Sequence, residues 1–108
     1  MLHIIVPTCL ADEHVCRTFS RTLREHTTGP CRGYEVINDD SLKGVSIERV
    51  RDDPVDWRVY IEPRRIGYVN ACNVGYRLAD PADDDLVVVL NDDLVFEGDW
   101  LNPLAAAI

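Results

Sequence analysis

The stretch Leu86-Val87-Val88-Val89-Leu90-Asn91-Asp92-Asp93 decides the fold. Five consecutive apolar residues, β-branched at their centre, predict a strand buried on both faces, as in parallel sheets covered by helices. The run stops at an amide followed by two carboxylates. Ligand sites in open α/β sheets lie outside the carboxyl ends of strands. Adjacent carboxylates there repel unless a cation or several donors share their charge. Mg²⁺ or Mn²⁺ would do so while bridging to phosphate oxygens, because such hard cations take one or two carboxylates plus substrate oxygens. The competing reading is a solvated acidic turn, and this segment alone does not separate the two.

Working outward, the sequence alternates strand and helix patterns. Upstream, 67–79 predicts a helix with Val69, Cys72, Tyr76 and Ala79 on one face, followed by a solvated acidic loop over 80–85. Alternating large apolar and polar residues predict a strand over 57–61, whereas 42–55 is mixed and polar and predicts no element. A strand over 34–37 ends in Asn38-Asp39-Asp40-Ser41. A helix over 11–26 carries Val15, Phe19 and Leu23 four residues apart, with acids early and Arg24 and His26 late, which suits the helix dipole. The first strand covers 2–6 and is ended by Pro7, which lacks the N–H to continue a ladder. Downstream, Asp99 is placed to cap a last helix beginning near Trp100. That helix is still apolar at Ile108, so the chain reads as a fragment or a shortened protein, with an apolar face open to self-association. The expectation is one α/β domain over 1–108, with a Rossmann-like, mainly parallel sheet flanked by helices and joined by right-handed crossovers.

Composition narrows the function classes. A net charge of −8 argues against general nucleic-acid binding, which needs basic stripes, and against docking to anionic membranes. No apolar run approaches the roughly 20 residues needed to span a bilayer. The N-terminus lacks the basic flank and cleavage site of a signal peptide, so a cytoplasmic location is the default expectation. Cys9, Cys16, Cys31 and Cys72 show no CxxC spacing and no disulfide framework. Cys16 and Cys72 fit core positions, and Cys9 follows a strand with no dedicated activating base nearby. His3, His14 and His26 form no metal pattern, while Trp57, Phe96 and Trp100 read as core.

Three strand ends point to the same sheet edge: Pro7-Thr8-Cys9, Asn38-Asp39-Asp40-Ser41 and Asn91-Asp92-Asp93. Polar groups gathered there beside a cation suit a nucleotide diphosphate, since carboxylates accept from base N–H and ribose hydroxyls while the metal neutralises phosphate. The chain holds neither GxGxxG nor GxxxxGK[ST], so dinucleotide and P-loop chemistry do not explain the pattern.

The order strand-Pro-Thr, strand-Asn-Asp-Asp-Ser, Arg-x-Gly-(x)5-Asn-x-Gly-(x)3-Ala and apolar strand-Asn-Asp-Asp resembles the family 2 glycosyltransferases of GT-A fold, most closely their rhamnosyltransferase-like members. The resemblance spans nearly the whole chain but only the donor-binding half of a family domain. It implies a metal-dependent, inverting transfer of a sugar from a nucleotide diphosphate sugar (UDP-, dTDP- or GDP-linked) to a hydroxyl of a glycan, lipid or protein acceptor. By the same resemblance Asp93 would ligate Mg or Mn, Asn91 would contact ribose or diphosphate, and Asp92 holds the variable middle position. The base-facing Asp of the family falls on Asn38, with Asp39 its neighbour. Asp40 replaces the usual Gly, and Ser41 matches the motif serine. Gly67, Asn73 and Gly75 fit the next motif, with Arg65 where Asn is usual, and Pro7 and Thr8 match the first. Arg64 and Arg65 offer local positive charge toward a phosphate. Structural readings stand beside these: Gly75 and Ala79 as helix-sheet packing, Asn73 as a satisfied core amide, the arginines as surface ion pairs. The family's base lies beyond residue 108, so the resemblance implies no catalytic residue here and a fragment without turnover. The alternatives are a non-catalytic nucleotide-binding or interaction module derived from this fold and, more remotely, a receiver-like signalling domain. The receiver pattern would place its acid pair after the first strand and a lysine on a later one, and this chain has neither.

Overall fold

The computed structural model describes residues 1–9, 13–27, 30–38, 56–62 and 64–107. Four strands form an all-parallel sheet: β1 (Leu2–Thr8), β2 (Cys31–Asn38), β3 (Asp56–Glu62) and β4 (Leu86–Val89), in the order β3-β2-β1-β4. Among the described residues three helices accompany it: α1 (Glu13–His26), α2 (Tyr68–Ala79) and a short α3 (Leu101–Ala106). The α/β expectation is borne out. The strand order reverses direction between β1 and β4, which makes that junction the topological switch point. No described helix is long and apolar enough to cross a membrane.

Side chains alternate across the strands and so divide the core into two layers. Leu2, Ile4 and Val6 meet Cys16, Phe19 and Leu23 of α1, and Leu90 and Phe96 close this layer. The buried stripe of α1 is Cys16, Phe19, Ser20 and Leu23, with Val15 only half-buried. Phe96 packs edge-on against Phe19 and lies 5.1 Å, between ring centres, from Trp100. The Phe96 N–H donates to Thr22 Oγ1 at 3.1 Å, and Trp100 Nε1 donates to Thr27 Oγ1 at 2.9 Å. The segment after β4 is thereby tied back over α1. Trp57 and Phe96 are core residues, as their sequence context suggests, and Trp100 is partly buried against that core.

On the opposite face α2 packs against β1 and β2 through small residues only. Its buried stripe is Ala71, Gly75 and Ala79, four residues apart, while Val69 and Tyr76 are exposed. The face predicted from large residues is therefore corrected. A Cβ on Gly75 would lie 2.4 Å from Ile5 Cγ2, so the helix sits too close to the sheet for bulky groups.

Three strand expectations are also corrected. β1 continues through Pro7 to Thr8, with Pro7 paired to Val36. Residues of a parallel strand address its two neighbours alternately. Leu86 N–H bonds Met1 O and Leu90 N–H bonds Ile5 O, so odd-numbered residues of β1 face β4. Leu2 N–H bonds Pro30 O, so even-numbered ones face β2. Pro7 thus withholds a donor from the β4 side alone, where pairing has already ended at Ile5 and Val89. The strand buried on both faces is β1 and not β4: all of β1 is buried, whereas β4 is an edge strand, half-buried to exposed. An apolar run does not distinguish edge from centre. β2 and β3 are longer than predicted because the ladder recruits their polar ends.

The acidic loop is not uniformly solvated. Asp85 accepts from the buried His3 at Nε2 over 2.9 Å and pairs with the Met1 amino group at 3.3 Å. Tyr34 stacks on the His3 ring, its hydroxyl 3.5 Å from Nδ1. The His3 hydrogen bond above all, then the Ala82 N–H, lower the Asp85 pKa to about 2. Because the folded value lies below the unfolded one, this stabilisation is full above about pH 4 and is lost as pH falls toward 2. Urea midpoints measured from pH 5 to 2 should therefore fall more steeply for the wild type than for Asp85→Asn. Parallel curves would contradict the assignment.

A cavity at the carboxyl edge of the sheet

All four strands deliver their carboxyl ends to one edge, and α2 begins there. The peptide entering α2 is held by two side-chain amides. Asn38, the last residue of β2, is buried, and its Oδ1 accepts the Ile66 N–H at 2.8 Å. Asn70 Nδ2 donates to Ile66 O at 2.6 Å. Gly67 follows at φ 86°, a left-handed conformation that glycine adopts without strain. Its carbonyl accepts from Ala71 N–H at 3.0 Å, starting the helix.

These elements enclose a cavity of about 240 Å³ lined by Pro7, Thr8, Cys9, Asn38, Arg65, Gly67 and Tyr68. Five residues singled out in the sequence (Pro7, Thr8, Asn38, Arg65 and Gly67) converge on it. Arg65 is exposed at its wall and makes no ion pair among the described residues. Two more connect at the rim. Thr8 Oγ1 donates to Asp92 Oδ2, which ties the segment after β4 to the end of β1 at the switch point. The Tyr68 hydroxyl donates to Asn91 Oδ1 at 3.4 Å. Desolvation first, and the Cys72 thiol second, raise the Tyr68 pKa, so the hydroxyl is a neutral donor at pH 7.

The remaining designated residues lie elsewhere. Asp93 is exposed and lines a second cleft of about 190 Å³ with His14, Val15, Thr18, Leu94 and Val95. Asn73 is exposed on α2 and does not line the cavity, so it is not a satisfied core amide. It follows the buried Ala71 by two residues, which on a helix turns it about 200° away from the sheet. Asp39, Asp40 and Ser41 lie outside the described residues. Tyr68 and Cys9 were not designated from the sequence. The signal for Tyr68 was its position directly after Gly67, which places it on the first turn of a helix starting at the site. Cys9, a free thiol, donates to Asn38 O at 3.4 Å.

Among the described residues, no three His, Cys, Asp or Glu side chains gather into a metal cage. A cation shared with a diphosphate needs only one or two carboxylates; Asp92 is held at the end of β1 by Thr8, whereas its neighbour Asp93 lines the second cleft.

A parallel α/β sheet with polar strand ends and a cavity at its carboxyl edge belongs to the class of open α/β domains, which take their ligands outside the carboxyl ends of the strands. Within that class the chain belongs to the glycosyltransferases: the family model described as Glycosyl transferase family 2 matches residues 3–108. This bears out the family resemblance, and the parallel sheet is consistent with a GT-A domain. Comparisons with characterised proteins and with solved structures gave no match.

Proposed function

We propose that this glycosyltransferase domain binds a nucleotide diphosphate sugar across its carboxyl edge, with the nucleoside in the cavity and the diphosphate toward Asn91, Asp92 and Asp93. The observation supporting this reading is the convergence of Pro7, Thr8, Asn38, Arg65 and Gly67 on one cavity, joined to Asn91 and Asp92 through Tyr68 and Thr8. Asp93, helped by Asp92, would hold Mg²⁺ or Mn²⁺, and the ion would supply Lewis-acid stabilisation of the leaving diphosphate. Asn38 holds the loop that presents Arg65, and Thr8 orients the Asp92 carboxylate. Arg65 attracts the anionic donor. Transfer to an acceptor hydroxyl with inversion also needs a general base. Among the described residues no carboxylate or imidazole lines the cavity, and the reading is donor binding without turnover by these 108 residues.

Calorimetry of the chain with UDP-, dTDP- and GDP-sugars, with and without Mn²⁺, tests the reading. Metal should tighten binding of at least one donor, and Asp93→Ala should remove that gain, about tenfold or more in Kd. An unchanged metal response in the variant would remove Asp93 from the role, and no donor binding would overturn the reading. In the same samples, sugar transfer should stay at the level of uncatalysed hydrolysis; efficient transfer would overturn the reading of donor binding without turnover.

A further inference from the structure

We infer that the second cleft, the one lined by Asp93, takes the apolar part of the sugar acceptor, so that the acceptor is an alcohol or glycoside carrying an alkyl or aryl group. This rests on the nucleotide-sugar reading above and goes further by naming the acceptor class. The first cavity opens beside the start of α2, whereas the second cleft is bounded by His14, Val15 and Thr18 of α1, on the other face of the sheet. Asn91, Asp92 and Asp93 run between the two. Asn91 and Asp92 are bonded to Tyr68 and Thr8 at the first cavity, and Asp93 lines the second cleft. In a displacement with inversion the acceptor oxygen approaches from the side opposite the leaving diphosphate. A donor seated in the first cavity leaves the second cleft for the acceptor.

The outer wall of this cleft is held at both ends. Asp92 is fastened to Thr8, while Phe96 is held by its N–H on Thr22 and by its ring against Phe19, so residues 93–95 bridge a fixed interval beside α1. A wall already in place lowers the ordering cost of binding. Val15, Leu94 and Val95 supply apolar surface, and Leu94 and Val95 stand 37% and 57% exposed. Asp93, His14 and Thr18 supply hydrogen-bonding groups for a hydroxyl. Among the described residues of the lining, no Lys or Arg is there to meet a diphosphate. A volume of about 190 Å³ is smaller than a full ligand pocket and suits one ring or a short alkyl chain, the rest of the acceptor reaching past Asp93.

The experiment titrates hexyl and methyl β-glucoside into the 108-residue chain, followed by amide chemical shifts in NMR. The two probes share every hydroxyl and differ only in the tail. Hexyl glucoside should bind about tenfold tighter, with the largest shifts at Val15, Leu94 and Val95. Equal affinities, or shifts centred on Asn38 and Gly67, overturn the inference, and this comparison needs no variant to fold. Val95→Asp puts a charge on the exposed wall and should abolish the preference for the longer tail; a preference that persists overturns the inference too. UDP-, dTDP- and GDP-sugars with Mn²⁺ are titrated in parallel. A donor that binds should stay bound when hexyl glucoside is added, whereas its displacement would put the tail in the first cavity and overturn the inference alone. Failure of every nucleotide sugar to bind overturns the nucleotide-sugar reading, and the acceptor role falls with it.

Discussion

Phe19→Ala is expected to destabilise the domain by about 3–5 kcal/mol, a large fraction of the roughly 5–15 kcal/mol that holds a domain together. Phe19 is fully buried and belongs to the layer between α1 and the sheet, with Leu2, Ile4 and Val6 on one side and Phe96 on the other. Its removal leaves a void that neither the central strand nor the tethered segment after β4 can fill. Phe96 is held at its N–H by Thr22, one turn further along α1, so its ring cannot follow the cavity inward. The loss should exceed the transfer free energy of the ring alone. Guanidinium or thermal unfolding monitored by far-UV circular dichroism measures it. A change under about 1 kcal/mol would mean that this layer is not a single packed unit.

Gly33→Ala is expected to cost about 3 kcal/mol, although it adds one methyl group to a strand. A Cβ at this position would lie 2.3 Å from Cε3 and 2.5 Å from Cζ3 of Trp57, its register neighbour on β3. The indole is 5% exposed and is itself part of the core, so the ring must leave its bed rather than turn within it. Tryptophan fluorescence supplies an independent readout, since expulsion into water shifts emission to longer wavelength. A variant with wild-type stability and unchanged emission would refute the contact.

The alternation of elements was readable in the sequence because each element carries a periodic apolar pattern and clear breakers. What was misread follows from three physical causes. Pro7 reads as a strand stop, although a proline interrupts only the neighbour its nitrogen faces. The apolar run over 86–90 reads as a strand buried on both faces, although burial in a sheet depends on partners far along the chain. The buried face of α2 was assigned by size, whereas proximity to Ile5 selects the smallest residues. The site shows the same division. Residues at strand ends and helix starts (Pro7, Thr8, Asn38, Arg65, Gly67) were legible because parallel topology sends all such positions to one edge. Asn73 was not, because its direction depends on which stripe of the helix is buried. The partnerships Thr8–Asp92 and Tyr68–Asn91 join residues 84 and 23 positions apart and have no local signature.

Pro7 has a consequence for the shape of the site. A sheet normally ends as a continuous hem, each strand laced to the next up to the last residue. Here an imino acid leaves one stitch out, on one side of one strand. The seam to β2 runs on to Thr8 and Ile37, while the seam to β4 stops at Ile5 and Val89. The sheet therefore parts like a notch cut at the point where its strand order turns. Beyond the notch, the chain after β4 is fastened to β1 by side chains, Thr8 to Asp92, in place of main chain. Side chains vary where a backbone ladder does not, so this joint can be retuned by substitution without disturbing the sheet behind it.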